Sequence, residues 1–400
     1  MKTVLVCGGG ASGMMAALTA AENRNNRVIL LERQARVGRK LLATGNGRCN
    51  LTNTLTGIEN YHGEDPLFAK SALTAFPPEA VIAYFRSLGL VCTEQYGGRV
   101  YPLTDAAGSV LDVLRFALDA SGAELHTGET VSQISRKAGR FQVISEKAAY
   151  DADAVIIACG GRAGGKLGGV SDGYELLTAF GHRRTALRPA LAPVFTAPEI
   201  PRSLKGVRAD AFVTLIRDGN SILSRRGEVQ FVEKGVSGPA VFDLTREAAK
   251  GGELALDLLC DLDGQEVMRM LKQRKTLSPN GENAIAFAGM LHSRLSLAIV
   301  KAAGLRPSGL LAELTEQEIS LLAATAKHLL LPITGTDSFE NAQVTAGGAD
   351  TAQFDPETLE SRLVPGLFAC GEVLDIDGDC GGYNLQWAWS SGRLAGRLGR

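Results

Sequence analysis

The chain has 400 residues, with 42 Lys plus Arg against 43 Asp plus Glu and a formal net charge of −1. That length predicts two or three domains, and the balanced charge gives no electrostatic reason to expect a nucleic acid or an anionic membrane as partner. The 7 cysteines are scattered without a CxxC pair and no apolar run nears the roughly twenty residues of a membrane span, so the reading excludes a disulfide framework, a zinc site and a spanning helix, and a reducing cytoplasm is the expected compartment.

The first apolar run is cut at once by three glycines and reads as a strand, not as a signal peptide. Val4–Cys7 leads into Gly8-Gly9-Gly10-Ala11-Ser12-Gly13, then an Ala-rich helical segment, then Val28–Leu31 ending at Glu32. Strand, glycine turn, helix, strand, acid is the order of a dinucleotide-binding βαβ unit. Gly8 permits the tight turn, Gly10 lets a pyrophosphate approach the backbone, and Gly13 lets the helix lie close to the sheet. The helix N-terminus offers free N–H groups and a positive dipole end to the pyrophosphate. Glu32 stands about twenty residues beyond Gly13, where a carboxylate accepts from ribose hydroxyls.

Val37–Asn53 is rich in Gly, Asn and Thr and reads as an irregular functional loop, with Arg39, Lys40 and Arg48 to offset phosphate charge. Asn50 both donates and accepts, as the edge of a flavin ring requires. Leu67–Ala75, Pro78–Leu88 and Ser109–Ser121 carry helical apolar spacing, and Tyr96–Pro102 reads as a turn-rich link. Ala123–His126, Val131–Arg136 and Phe141–Ser145 alternate as strands. Ala154–Cys159 is a buried strand ending at Gly160-Gly161, and Asp172 is placed to cap a helix over Gly173–Phe180.

Composition shifts at Pro189. Ala211–Ile216, Ser221–Ser224 and Val229–Val232 alternate, and Asp218-Gly219 signals a hairpin, so an antiparallel insert is expected here, ended by Gly235–Pro239. A strand over Glu253–Leu259 follows. Gln265–Arg274, Glu282–Leu291, Ser293–Ala303 and Glu316–His328 then read as helices. From Phe339 the glycine-rich style returns. A strand-like Leu363–Pro365 leads into the run Gly366–Gly378 with Gly371 and Glu372, then Gly381-Gly382 and a helix from Asn384; buried strand, glycine, acid, glycines and helix read as a second phosphate-and-sugar site. Glu372 is placed to accept from a ribose or ribityl hydroxyl. Trp387 and Trp389 read as core residues.

One βαβ turn fits NAD or the ADP half of FAD. The return to glycine and acid at the C-terminus favours FAD, whose length needs a second set of contacts, and Glu32 would repel a 2′-phosphate. No catalytic acid or base stands out. His62, His182, His292, His328, Tyr61 and Tyr101 are equal alternatives, and Cys49 and Cys380 read as packed thiols before they read as a redox pair.

Five blocks together resemble the BaiN-type, aminoacetone-oxidase-like FAD-dependent oxidoreductases. They are the first glycine turn with Glu32, Gly38–Asn53 (GRKLLATGNGRCNLTN), Gly235–Pro239, Asn341–Gly348 and Gly381–Gly392. The resemblance implies a discontinuous α/β Rossmann-like FAD domain (1–188 and 339–400). It implies a β-barrel-like insert (189–260 and 329–338) and a helical insert (261–328). It also implies non-covalent FAD held by Gly8, Gly10, Ser12, Gly13, Glu32, Arg33, Arg39, Lys40, Asn46, Gly47, Cys49, Asn50, Val131, Gly160, Gly371, Glu372, Gly382, Asn384, Leu385 and Gln386. The glycine-heavy Arg162–Val170 departs from the family's Ser/Thr-rich pattern. The expected activity is hydride transfer between the flavin and a small organic substrate, with NAD(P)H as a candidate donor and oxygen as a candidate acceptor. A flavin-binding sensor without turnover is the alternative. An RNA substrate is disfavoured, because no basic stripe interleaves with aromatics. The oligomeric state is not legible.

Overall fold

A computed structural model describes residues 1–399. The chain forms two compact units, Met1–Arg188 with Ala342–Arg400, and Pro189–Asn341. The first is built on a five-stranded parallel sheet. Its strands are β1 (Lys2–Cys7), β2 (Asn26–Glu32), β3 (Glu124–Thr127), β4 (Ala154–Ile157) and β5 (Leu367–Ala369), in the order β5-β4-β1-β2-β3. Continuous apolar runs such as Val4-Leu5-Val6 and Val155-Ile156-Ile157 form these strands because both faces are covered, and each of these residues is fully buried.

Three helices shape the site: α1 (Ala11–Ala21), α2 (Arg39–Ala43) and α3 (Tyr383–Gly396). The last helix of the chain packs on the first. Gly392 and Gly396, one turn apart, face α1 so closely that a Cβ would lie 2.4 Å from the Ser12 carbonyl oxygen and 2.6 Å from that of Ala16. The indoles lock this arrangement. Trp387 donates from Nε1 to the Gly371 carbonyl at 3.1 Å and Trp389 to that of Leu51 at 2.9 Å, both rings buried, as expected of core residues.

The second unit is a closed antiparallel barrel of six strands. They run in the order Val194–Thr196, Gly235–Ser237, Asn220–Val232, Arg208–Arg217, Glu253–Asp257 and Leu329–Thr336. The Asp218-Gly219 hairpin forms with both residues at positive φ (51° and 76°), the backbone that a two-residue turn between twisted strands demands. The helices Gly264–Leu277, Ser293–Ala302 and Glu316–Lys327 share one apolar core with the barrel.

Four local expectations are corrected. Tyr96–Pro102 is a hairpin, its strands Cys92–Gln95 and Arg99–Pro102 reversed at Gly97 and Gly98, both at positive φ. Gly235–Ser237 does not end the insert but is a barrel strand. Glu282–Leu291 is not a helix: only Asn283–Ile285 makes a 3-10 turn, Gly289 sits at φ 84°, and the Phe287 N–H goes to Ser296 Oγ. Asp172 is not a cap. It opens the helix Asp172–Thr178 and faces Arg33 at 3.8 Å.

Candidate functional site

A solvent-open cleft with about 1350 Å³ of atom-free space lies in the first unit, over the C-terminal ends of the parallel strands. Ligands in such sheets bind at this edge. Both chain ends supply its wall. Gly8, Gly10, Ser12, Glu32, Arg33, Arg39, Lys40, Val131 and Gly160 come from the N-terminal part, and Glu372, Asn384 and Leu385 from the C-terminal part.

The glycine turn after β1 is shaped by three different demands. Gly8 has φ 109°, and a Cβ there would lie 2.5 Å from the Ala158 carbonyl oxygen. A Cβ on Gly13 would meet the Gly8 carbonyl oxygen at 1.8 Å. Gly10 differs: its φ of −78° suits any residue, and a Cβ there meets nothing within 4 Å. The empty space faces the N-terminus of α1, where unpaired N–H groups favour an anion. A pyrophosphate fits a cradle of this kind.

Glu32 lies at the end of β2, where its sequence position predicts. Its Oε2 accepts from the Gly9 N–H and its Oε1 from the Gln34 N–H, each at 2.7 Å. Each carboxylate oxygen has a second lone pair for a ribose hydroxyl. These backbone bonds fix the carboxylate in place. Glu372 is held in the same way from the other chain end, with Oε1 accepting from the Thr345 N–H at 2.8 Å and Oε2 from Lys40 Nζ at 2.7 Å. The Lys40–Glu372 pair ties α2 to the loop after β5. Loss of this tie in Lys40→Met is expected to weaken FAD binding about tenfold, read from the flavin fluorescence of apoprotein titrated with cofactor, with Lys40→Arg recovering most of it.

Eight predicted residues lie off the cleft wall. Gly13 is a packing glycine. Asn46 and Gly47 belong to the Thr44–Gly47 turn, Asn46 at positive φ. Cys49 is fully buried and desolvation pushes its thiol up to about 12, so it stays protonated and serves packing rather than redox exchange. Gly371 has φ 76° and donates its N–H to Ser391 Oγ. Gln386 is spent on Thr52, the Phe76 carbonyl and Ser390. Gly382 caps α3 at φ 106°. Beside it, Asn50 Oδ1 is buried without a hydrogen-bond partner, 3.0 Å from where a Gly382 Cβ would sit. An acceptor in that state needs a donor from outside the chain.

Asn384 reaches the wall, but its side chain is engaged with the backbone of Gly378 and Asp379, which stiffens the turn into α3. Among the histidines, His62 pairs with Asp379 at 2.7 Å, and His292 accepts from the Arg294 N–H at the start of its helix. His182 is structural. It is buried, bonded to the Leu177 carbonyl and Ser361 Oγ, and stacked on Phe354 at 4.8 Å. Burial holds its imidazole below the usual range. The unfolded chain therefore binds a proton more readily, and stability present above about pH 6.5 is lost as pH falls below it. The melting midpoint is expected to drop between pH 7.5 and 5.5, and less so in His182→Gln.

Sequence reasoning missed Glu129 and Thr345. Thr345 contributes through its backbone, which no side-chain pattern announces. Glu129 comes just after β3 ends at Thr127, much as Glu32 ends β2, and strand-end position was its signal.

The model of the HI0933-like protein Rossmann domain matches residues 2–398. The chain is 37% identical to a 3-dehydro-bile acid delta(4,6)-reductase of Clostridium scindens, over 99% of this chain and 98% of that one. It is 29% identical to a ribosomal RNA dihydrouridine synthase of Escherichia coli, over 97% and 95%. The fold matches a 3-ketosteroid delta1-dehydrogenase from Sterolibacterium denitrificans with a TM-score of 0.51 at 12% identity, over 99% of both chains. With an RNA-named relative of full length, the sequence-based exclusion of nucleic acid has no support: a net charge of −1 is an average and says little about one face. Among the described residues no helix is long and apolar enough to cross a membrane.

Proposed function

Because the chain belongs to the HI0933-like Rossmann-domain family, we propose that it reduces a carbon–carbon double bond conjugated to a carbonyl, using non-covalent FAD with NAD(P)H as donor. Membership makes it a flavoprotein oxidoreductase and sets aside the sensor without turnover. The observation that carries the FAD reading is a single cleft walled by both chain ends, with an anion cradle at Gly10 and a fixed carboxylate from each end.

In this reading the α1 N-terminus with Gly8, Gly10 and Ser12 holds the pyrophosphate. Glu32 and Arg33 hold the ribose, and Arg39, Lys40, Gly160 and Glu372 line the ribityl path. Asn384 and Leu385 bring the positive end of α3 towards the ring, where it favours the anionic reduced form. Gly13, Asn46, Gly47, Cys49, Gly371, Gly382 and Gln386 support this wall from behind, and Asn50 offers its unpaired Oδ1 to the cofactor. The bound flavin supplies two-electron chemistry; the protein supplies position and field.

The substrate class rests on the relatives' names. A 3-dehydro bile acid with double bonds at positions 4 and 6 is a conjugated ketone. The uracil double bond that a dihydrouridine synthase saturates is likewise conjugated to a carbonyl. A small conjugated ketone is favoured here by the higher identity of the bile acid reductase, and uridine in RNA is the second reading. The purified protein is expected to be yellow, to bleach anaerobically with NADH or NADPH, and to recover its colour with a conjugated steroid dienone but not with the saturated ketone. Recovery with unmodified ribosomal RNA, and dihydrouridine in the product, would favour the second reading. Colour recovery with neither would remove the proposed substrate class.

A further inference from the structure

We propose that Glu129 reads the 6-amino group of the cofactor's adenine, so that this site selects an aminopurine dinucleotide by a buried carboxylate. The inference rests on the FAD reading above and adds a base-recognition residue to it.

The placement follows from the sheet. The glycine turn leaves β1 and the ribose-binding carboxylate ends β2, so a dinucleotide laid across these strand ends carries its base onward, away from β1. The next strand beyond β2 is β3. Its exit, Gly128–Val131, is tied to the exit of β2: the Gly128 N–H donates to the Gln34 carbonyl and the Glu129 N–H to the Glu32 carbonyl, both at 2.9 Å. Glu129, Thr130 and Val131 then line the same cleft as Glu32. Glu129 therefore stands where the base must lie.

Its condition points to a ligand. Glu129 is only 7% exposed. Ser145 Oγ donates to its Oε2, which fixes the carboxylate's orientation. Among the described residues nothing donates to Oε1, and no lysine, arginine or histidine pairs with this acid. Glu129 lines the cleft, so this oxygen is an acceptor that a ligand's donor can reach. An exocyclic amino group is a donor of the right kind, and a purine without one is not.

The test uses apoprotein titrated with FAD and with the flavin purine dinucleotide that lacks the 6-amino group, following flavin fluorescence. A hydrogen bond to a charged acceptor predicts that the wild-type protein binds the deamino analogue about 10- to 100-fold more weakly than FAD. Glu129→Ala removes the acceptor, and the two cofactors should then bind within about threefold of each other. Glu129→Gln keeps an acceptor oxygen and should keep part of the difference. Equal binding of both cofactors by the wild-type protein would overturn the assignment without any variant having to fold, as would an undiminished preference in Glu129→Ala. Binding of neither dinucleotide would remove the FAD reading itself, and this proposal with it.

Discussion

Gly10→Asp is expected to yield a folded, colourless protein. Gly10 is the residue before α1, at φ −78°, with open space where its Cβ would project. Aspartate is a favoured helix-capping residue there, so the apoprotein should melt no lower than wild type, with up to about 1 kcal/mol of added stability. The same carboxylate would occupy the pyrophosphate's place and carry the same sign of charge. FAD affinity should fall about 100-fold or more, read by titration of apoprotein. A Gly10→Asp protein that purifies with a full complement of flavin would show that the dinucleotide does not cross this turn.

Gly13→Val, three residues further on, is expected to fail in the opposite way. The added Cβ would stand 1.8 Å from the Gly8 carbonyl oxygen, with the Ala158 Cβ at 3.2 Å on another side. Backbone on one side and the sheet on the other leave no flexible side chain to yield. Either α1 moves off the sheet or the turn at Gly8 breaks. Overpacking of this severity costs about 3 kcal/mol or more, a large share of the margin of a typical domain. The variant should be largely insoluble, and any soluble fraction should melt well below wild type with and without FAD. If Gly13→Val melts like wild type and merely loses flavin, Gly13 is a cofactor contact and not a packing position.

These two glycines belong to one motif, and their order in it already gives them different duties, an approach for pyrophosphate at Gly10 and helix–sheet packing at Gly13. The coordinates add open space beside the first and a backbone carbonyl against the second. The motif's reach ends at Gln386 and Cys49. Both sit in blocks that resemble a flavin-binding family, and both turn inward, the glutamine to Thr52, Phe76 and Ser390 and the cysteine into the core. Block resemblance marks a neighbourhood, and side-chain direction within it depends on partners far away in the chain.

The strand–glycine–helix–strand–acid order of the first 32 residues, the buried runs of β4 and β5 and the barrel's hairpin turn are determined by the sequence alone. Each rests on short-range physics, namely apolar period, positive-φ glycines and capping, which a local stretch carries within itself. Tertiary structure decided what long-range contact controls. It closed the C-terminal helix on α1 through Gly392 and Gly396, and set Lys40 against Glu372 across more than three hundred residues. It also brought Glu129 beside Glu32 by making β3 the neighbour of β2. None of these pairings has a local signature, because strand order and helix packing are chosen by the burial of the whole sheet and not by any residue's nearest neighbours in sequence.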